Sequence, residues 1–183
     1  SKHSAYTPGP AASAQVRKEG DKWTLILVRL LRHAPENVWL ALTDPMHLSQ
    51  WAPYEADQSL ARIGASVELT WAGAPQSFRA TVLHADAPRL LEVGDMRWEL
   101  EPIEDGTRLT LWHNIDRRFI AWGAAGWHIC LDVLDRRLAG DPIPRIAGPE
   151  AMQISGWKQL AAGYAQQFGV ELPKGQQKPA QES

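Results

Sequence analysis

The sequence predicts an α+β fold in which a curved antiparallel β-sheet of about six to seven strands wraps around one long C-terminal α-helix. Residues 117–139 form a proline-free run whose apolar side chains would cover roughly 220° of a helical wheel. Residues 54–114 alternate apolar and polar side chains between turn signals spaced about eight to twelve residues apart. A helix that is apolar on so many sides needs cover on more than one side, and a sheet curling around it would provide that cover.

Composition restricts the possible functions. The chain has 183 residues, enough for one domain with a sizeable core, and carries 19 Lys+Arg, 21 Asp+Glu and a formal net charge of -2. Without a basic excess we expect no nucleic-acid partner, and without an apolar run of about 18 residues we expect no membrane span. The first residues lack the continuous apolar segment of a secretory signal, so none is expected, and a single cysteine, Cys130, excludes an intramolecular disulfide. These features favour a reducing, cytoplasmic location.

The changes in composition along the chain predict four parts. Residues 1–20 are rich in Ser, Ala, Pro and Gly and are expected to be a disordered N-terminal arm. Residues 21–140 would form the main domain. Residues 141–170 would add a helix that packs on this domain, and the polar residues 171–183 would be a disordered tail.

Within the main domain the elements are expected to follow a simple order. The apolar run Trp23–Arg32 predicts a strand buried on both faces. Pro35 and Asp44-Pro45 are helix-start signals, so two short helices should follow, ending near Leu42 and Trp51. The segments predicted as further strands are 54–60, 66–72, 77–85, 89–94, 96–103 and 107–114.

The long helix has two features that bear on function. Its polar strip consists of His128, Asp132, Asp135 and Arg136, together with Ala121 and Ala125. Gly123 and Gly126 each lower helix stability by up to about 1 kcal/mol relative to alanine. A gap in the helix surface would explain them, either for close approach of another backbone or for a cavity.

Several motifs resemble those of a known family. Ala34-Pro35, Val38-Trp39, Thr43-Asp44-Pro45 and Trp51 stand in the order and spacing that its members carry. The strand at 106–111 and the Gly126-Trp127 pair, followed by Leu131 and Leu134, match its late motifs. Over residues 22–169 the chain therefore resembles the SRPBCC superfamily and, within it, the homologues of the activator of the heat-shock ATPase. The Gly156-Trp157 helix also resembles a tail found in some bacterial members.

This resemblance implies a helix-grip, START-like fold that encloses a hydrophobic cavity between the sheet and the long helix. It implies the fold more firmly than an activity, because many functions share such folds.

Large side chains from the helix and the sheet supply the candidate ligand site. Nine tryptophans are many for this length, and such side chains either fill a core or line an apolar pocket. The resemblance favours a pocket for a small hydrophobic or lipid-like ligand. The candidate ligand-binding residues are Trp51, Trp71, Phe78, Trp98, Leu111, His113, Trp122, Gly126 and Cys130. Trp112 is out of phase with its neighbours and is expected to face outward.

Candidates for chemistry are few. His113 could bond a ligand, act as a general base, or be a core histidine satisfied by a backbone carbonyl. Arg29 and Arg79 could bind a ligand carboxylate or lie at the surface. His113, Asp116 and His128 are the nearest approach to a metal cluster, but their spacing does not support one. Phosphate-loop and nucleophile-elbow motifs are absent from the sequence, so we predict no cofactor, no metal and no catalytic residues.

Three functions are compatible with these sequence features. The first is a non-enzymatic protein that binds a small hydrophobic ligand. The second, which rests on the family resemblance alone, is an interaction module that regulates a chaperone ATPase. The third is an enzyme, such as a cyclase or hydrolase, that uses the same cavity. The helix at 149–168 could cover a sheet edge or bind a second copy, so a homodimer or a chaperone is the protein partner to consider.

Overall fold

The structure, a computed structural model, describes residues 6–174. These residues form eight strands and four α-helices. The strands are β1 (Ala14–Glu19), β2 (Lys22–Leu31), β3 (Tyr54–Ala56), β4 (Ser66–Trp71), β5 (Phe78–Asp86), β6 (Leu90–Val93), β7 (Met96–Ile103) and β8 (Gly106–Asn114). The helices are α1 (Pro35–Thr43), α2 (Pro45–Trp51), α3 (Ile120–Leu138) and α4 (Trp157–Phe168).

All strands belong to one antiparallel sheet with the order β1-β2-β8-β7-β6-β5-β4-β3. Strands β3 to β8 form a continuous meander, and β2 joins it by pairing with β8 from Thr24↔Asn114 to Leu31↔Thr107. The short helices α1 and α2 connect β2 to the far edge of the sheet at β3. The predicted α+β, helix-grip architecture is confirmed, with slightly more strands than expected. None of the helices formed by residues 6–174 combines the length and hydrophobicity that a bilayer span requires.

The prediction of a disordered arm over residues 1–20 was wrong for its second half. Ala14–Glu19 pairs with β2 through a hairpin whose turn contains Gly20 at φ 63°. Tyr6, further towards the N-terminus, is only 7% exposed. The Ser, Ala and Pro of the first residues obscured the short alternation of this strand. Residues 1–5 and residues 175–183 of the predicted tail lie outside the described part of the chain.

Two strand predictions also needed correction. The run Trp23–Arg32 was expected to be buried on both faces, but Val28 and Leu30 are 47% and 60% exposed on the outer face of β2. An antiparallel sheet commonly packs one face on the core and leaves the other face in contact with solvent. Here the long helix covers the inner face. The segment predicted at 54–60 is a strand only over Tyr54–Ala56.

The long helix is confirmed as the centre of the fold. A 3₁₀ turn at Arg117–Phe119 leads into α3, so the predicted run of residues 117–139 is almost entirely helical. Each large apolar side chain buried on it contributes about 1.5–3 kcal/mol. The largest of these side chains are Ile120, Trp127, Ile129, Leu131, Val133 and Leu134.

The polar strip of α3 is partly covered by protein, although the Asp135 side chain remains 50% exposed. The appended helix predicted at 149–168 is a 3₁₀ turn at Gly148–Gln153 followed by α4, which packs against α3. As a result His128 is 6% exposed and Ala125 is fully buried. More of this helix is therefore buried than its apolar arc alone would predict.

A polar network holds the N-terminal segment onto this strip. Asp132 of α3 accepts hydrogen bonds from the Tyr6 hydroxyl at 2.5 Å and from Arg29 Nη1 at 2.7 Å. Arg29 also donates to the carbonyl of His128 at 3.2 Å. Both members of the ion pair are mostly buried, with side chains 21% and 24% exposed. Arg29, a candidate for binding a ligand carboxylate, is thus paired within the fold.

Tyr164 of α4 extends this network to the main chain. Its hydroxyl accepts a hydrogen bond from the Ala12 backbone N–H at 3.2 Å and lies 2.8 Å from Nδ1 of His128. Gln167 contacts the same segment twice, donating to the Ala12 carbonyl and accepting from the Ala14 N–H. The segment before β1 therefore lies across α4 and fixes it to α3.

Replacing Asp132 with alanine should destabilise the fold by about 2 kcal/mol. The Arg29 guanidinium would keep its burial and lose its carboxylate, and solvent screening of a partly exposed pair keeps the loss below that of a fully buried one. The measurement is the urea unfolding midpoint of the variant and the parent. Asp141→Ala is the control, because this carboxylate also pairs with an arginine, Arg136, but is 76% exposed. A midpoint for Asp132→Ala equal to that of the control would contradict the role given to Asp132.

Candidate functional site

Six rings form an aromatic cluster between the sheet and α3: Trp51, Tyr54, Trp71, Trp98, His113 and Trp127. Trp127 is at its centre, with ring centroids 5.2 to 6.4 Å from those of the other five. Most of these contacts are edge-to-face, which aromatic quadrupoles favour. The rings thus contact one another in the region where we predicted a ligand cavity.

The register of the sheet explains how the strands contribute to the aromatic cluster. Trp98 of β7 lies opposite Leu111 of β8, and both side chains are 1% exposed on the inner face. His113 follows two residues after Leu111 and so shares that face. Trp51 ends α2, and its indole donates to the Ala41 carbonyl at 2.9 Å, which fixes the ring.

His113 has a defined hydrogen-bonding role in this cluster. Its Nδ1 accepts from the Trp127 indole N–H at 3.0 Å, and Trp71 stacks on its ring at 5.6 Å. Because an indole only donates, the neutral imidazole carries its proton on Nε2, which lies 3.8 Å from a carboxylate oxygen of Asp95. His113 is thus a core histidine with a hydrogen-bond partner, but that partner is the Trp127 side chain and not the backbone carbonyl we expected.

Two effects act in opposite directions on the charge of His113. Burial lowers its pKa to about 4, and the nearby Asp95 carboxylate raises it. Burial dominates because the Asp95 side chain is 52% exposed and solvent screens its charge. The ring is therefore neutral at pH 7.

Two other predicted site residues have different surroundings. Cys130 is buried, its thiol faces the Ile146 carbonyl at 3.5 Å, and burial raises its pKa to about 12. This thiol is therefore not a nucleophile. Phe78 was expected in the interior, and that expectation was wrong, because it is 43% exposed. Phe78 lies on the same face of β5 as the buried Ala80 and Val82, but it stands in the last pair of β4 and β5, where its side chain is only partly covered.

Trp122, another predicted site residue, lies outside the aromatic cluster and lines an open groove of about 1190 Å³ beside the first half of α3. We call this the α3 groove. Its walls come from the start of α3, from the 3₁₀ turn at Gly148–Gln153 and from the segment after α4. The lining residues are Arg117, Arg118, Phe119, Trp122, Pro149, Met152, Gly169, Val170, Glu171, Leu172, Pro173 and Lys174.

The two glycines of α3, expected to allow either a close approach or a cavity, have different surroundings. At Gly123 a Cβ would stand 2.6 Å from Ile115 Cδ1, so this glycine allows a close approach. At Gly126 a Cβ would have no described heavy atom within 4 Å. Gly126 follows Trp122 by one helical turn, so open space lies on the same face of α3 as the groove wall.

Sequence reasoning missed most of the α3 groove. Its second wall comes from Pro149 and Met152 and from residues 169–174, which we had assigned to the appended helix and the tail. A signal was present in Val170, Leu172 and Pro173, three apolar residues directly after the helix stop at Gly169. The sequence contains no indication that this segment folds back against Phe119 and Trp122.

The remaining candidates are accounted for by nearby partners. Trp112 faces outward as predicted and lines a polar opening of about 370 Å³ on the outer sheet face, under Arg97 at 5.8 Å. Arg79 is exposed and lies 3.6 Å from Glu68, as expected for a surface arginine. Asp116 accepts a hydrogen bond from the Arg118 side chain. Within residues 6–174, no three His, Cys, Asp or Glu side chains converge as metal ligands would.

The sequence model of one family matches residues 32–139, which is more than half of the chain. Its description is "Activator of Hsp90 ATPase homolog 1-like protein". None of the curated proteins compared with the chain matches it.

Solved structures from several bacteria share the fold. A conserved protein of unknown function, EF2215 from Enterococcus faecalis, is 20% identical with a TM-score of 0.63, covering 84% of this chain and 89% of its own. CalU16 from Micromonospora echinospora is 23% identical with a TM-score of 0.61, covering 84% and 94%. The protein encoded by BPP1335 from Bordetella parapertussis is 24% identical with a TM-score of 0.58, covering 93% and 95%. At these identities the likeness establishes the fold alone.

Proposed function

The chain belongs to the family of activator of Hsp90 ATPase homolog 1-like proteins, and we propose that it binds a small hydrophobic molecule in the α3 groove without transforming it. The observation that carries the proposal is the groove itself, whose walls are mainly apolar and which is large enough for a small ligand. We place the ligand in this groove and not in the cavity predicted between helix and sheet, because six aromatic rings contact one another in that region.

Exposed apolar surface supports this choice of site. Phe119 is 42% exposed at the entrance to α3, and its ring lies 6.1 Å from that of Trp122. Large exposed aromatic side chains that line a concave surface are typical of ligand grooves. A bound apolar molecule would cover both rings and gain about 25 cal/mol for each Å² of apolar surface removed from water.

The lining also favours binding over catalysis. Among the described residues that form the groove there is no histidine, cysteine, serine, threonine or tyrosine. Glu171 is the one carboxylate, and its side chain is 88% exposed. A general base or nucleophile needs a perturbed pKa or an activating partner, and the described groove supplies neither.

Titration with N-phenyl-1-naphthylamine, a neutral apolar fluorophore, should show saturable binding that Trp122→Ala weakens about tenfold. The variant removes one aromatic side chain from the groove wall and leaves the aromatic cluster intact. Trp112→Ala is the matched control, since it removes a tryptophan from the outer sheet face. No saturable binding by the parent, or equal weakening by both variants, would refute the assignment of the ligand to this groove.

Regulation of a chaperone ATPase is the function that the family description names, and it makes a different prediction. It requires the rate of ATP hydrolysis by an Hsp90-type chaperone to change when this protein is added. We propose ligand binding ahead of it because the groove is a described feature with the chemistry that binding needs. A change in ATP turnover that survives Trp122→Ala would favour the chaperone function instead.

A further inference from the structure

We propose that the α3 groove selects amphiphiles with an anionic head group and holds that head group at Arg117. This inference rests on the proposed function, because it names the chemical class of ligand for the same site. The expected ligand is a free, monomeric carboxylate with an apolar tail.

The charges of the groove differ from those of the chain as a whole. The chain has a formal net charge of -2, whereas the groove has three cationic side chains and one carboxylate. Arg117 and Arg118 lie on the α3 side, and Lys174 lies on the segment after α4. An anionic head group would therefore meet a net positive rim, whereas a cationic head group would be repelled.

The three cations differ in how free they are to bind a ligand. Arg118 already donates to the Asp116 carboxylate through Nε and Nη2, each at 3.2 Å. Lys174 Nζ lies 3.9 Å from Glu171, and both of these side chains are more than four-fifths exposed. Arg117 has its guanidinium 5.9 Å from the Trp23 ring and makes no salt bridge within residues 6–174, although the Asp116 carboxylate, which pairs with Arg118, is near enough to feel its charge.

Arg117 is therefore the cation that a ligand acid can use. The contact with the Trp23 ring leaves the charge of the guanidinium in place, and a planar guanidinium can donate two parallel hydrogen bonds to one carboxylate. Phe119 and Trp122 line the same groove as Arg117. A head group at Arg117 would thus leave the tail on these two rings.

Three probes with the same eight-carbon tail test this inference: octanoate, 1-octanol and octylammonium, each added as a monomer to displace N-phenyl-1-naphthylamine. Octanoate should bind about fivefold more tightly than 1-octanol, and octylammonium more weakly than either. Arg117→Gln should bring octanoate to the level of 1-octanol and leave 1-octanol unchanged. Arg108→Gln is the control, since this arginine pairs with Glu101 on the sheet and does not line the groove.

Each outcome separates the two proposals. If 1-octanol binds as tightly as octanoate to the parent protein, the selection for an anionic head group is wrong and the hydrophobic groove stands. If none of the three probes displaces the fluorophore, the groove itself is wrong. If 1-octanol displaces the fluorophore and octanoate does not, and vesicles containing phosphatidylglycerol sediment the parent and not Arg117→Gln, the anion belongs to a membrane surface, and the proposal of a free monomeric ligand is overturned.

Discussion

Trp127→Ala should destabilise the protein by about 4 kcal/mol, the largest effect expected of any single substitution proposed for this chain. Trp127 is 3% exposed and contacts the five other rings of the aromatic cluster. The substitution would open a cavity between α3 and the sheet that rigid neighbouring rings cannot fill by collapsing. It would also leave Nδ1 of His113 without its donor. Urea denaturation followed by circular dichroism measures the loss.

Two further variants separate the volume of Trp127 from its hydrogen bond. Trp127→Phe keeps most of the ring and removes the indole N–H, so it should cost about 1–3 kcal/mol. Trp112→Ala removes a tryptophan of equal size from the outer sheet face and should cost less than 1 kcal/mol or so. A result for Trp127→Ala as small as that for Trp112→Ala would show that the aromatic cluster does not support the fold.

Lowering the pH from about 6.5 to about 4 should remove up to about 3 kcal/mol of stability through His113. Its pKa is near 6.5 in the unfolded chain and about 4 in the folded protein, so between these values the unfolded state binds more protons. The contribution of His113 to stability is therefore fully present above pH 6.5 and is lost as the pH is lowered from 6.5 to about 4. Burial also lowers the pKa of His128, which acts in the same direction. The measurement is the free energy of unfolding at several pH values.

His113→Gln provides the test of this assignment. A glutamine can accept the Trp127 hydrogen bond through its side-chain carbonyl, and it does not titrate. The variant should lose most of the pH dependence in the window while remaining folded. His84→Gln is the control, because this histidine has a side chain that is 53% exposed. If the free energy of unfolding of His113→Gln changes with pH as steeply as that of the parent, the acid sensitivity comes from another group.

The features of the fold that were predictable are those with strong periodicity or turn chemistry. The long run at 117–139 could be read as a helix needing cover on several sides, because its apolar arc exceeds that of a surface helix. The meander β3 to β8 was predictable because its turn residues separate alternating segments. β1 was not predicted, since a six-residue strand has too few alternations to stand out beside a composition typical of disorder. Its position depends on pairing with β2, which is a tertiary property.

The candidate site was less predictable than the fold. Alternation along β7 and β8 correctly oriented Trp98, Leu111 and His113 towards α3, because strand periodicity determines the face of each side chain. Periodicity does not say whether such side chains contact one another or leave a space, and here they contact one another. The α3 groove was missed because the helix stop at Gly169 marks the end of α4 but does not indicate that Val170 and Leu172 line the same groove as Trp122.

The contacts of the N-terminal segment have a consequence for how the protein is made. The hydrogen bonds of Tyr6, Ala12 and Ala14 to α3 and α4 join residues separated by 126 to 155 positions. During synthesis the segment from Tyr6 to Ala14 must therefore wait until α3 and α4 have emerged before it finds these partners, so this layer is completed only once α4 has left the ribosome. Until then the polar side of α3 remains uncovered, and a chain that stalls before α4 exposes it to chaperones and proteases.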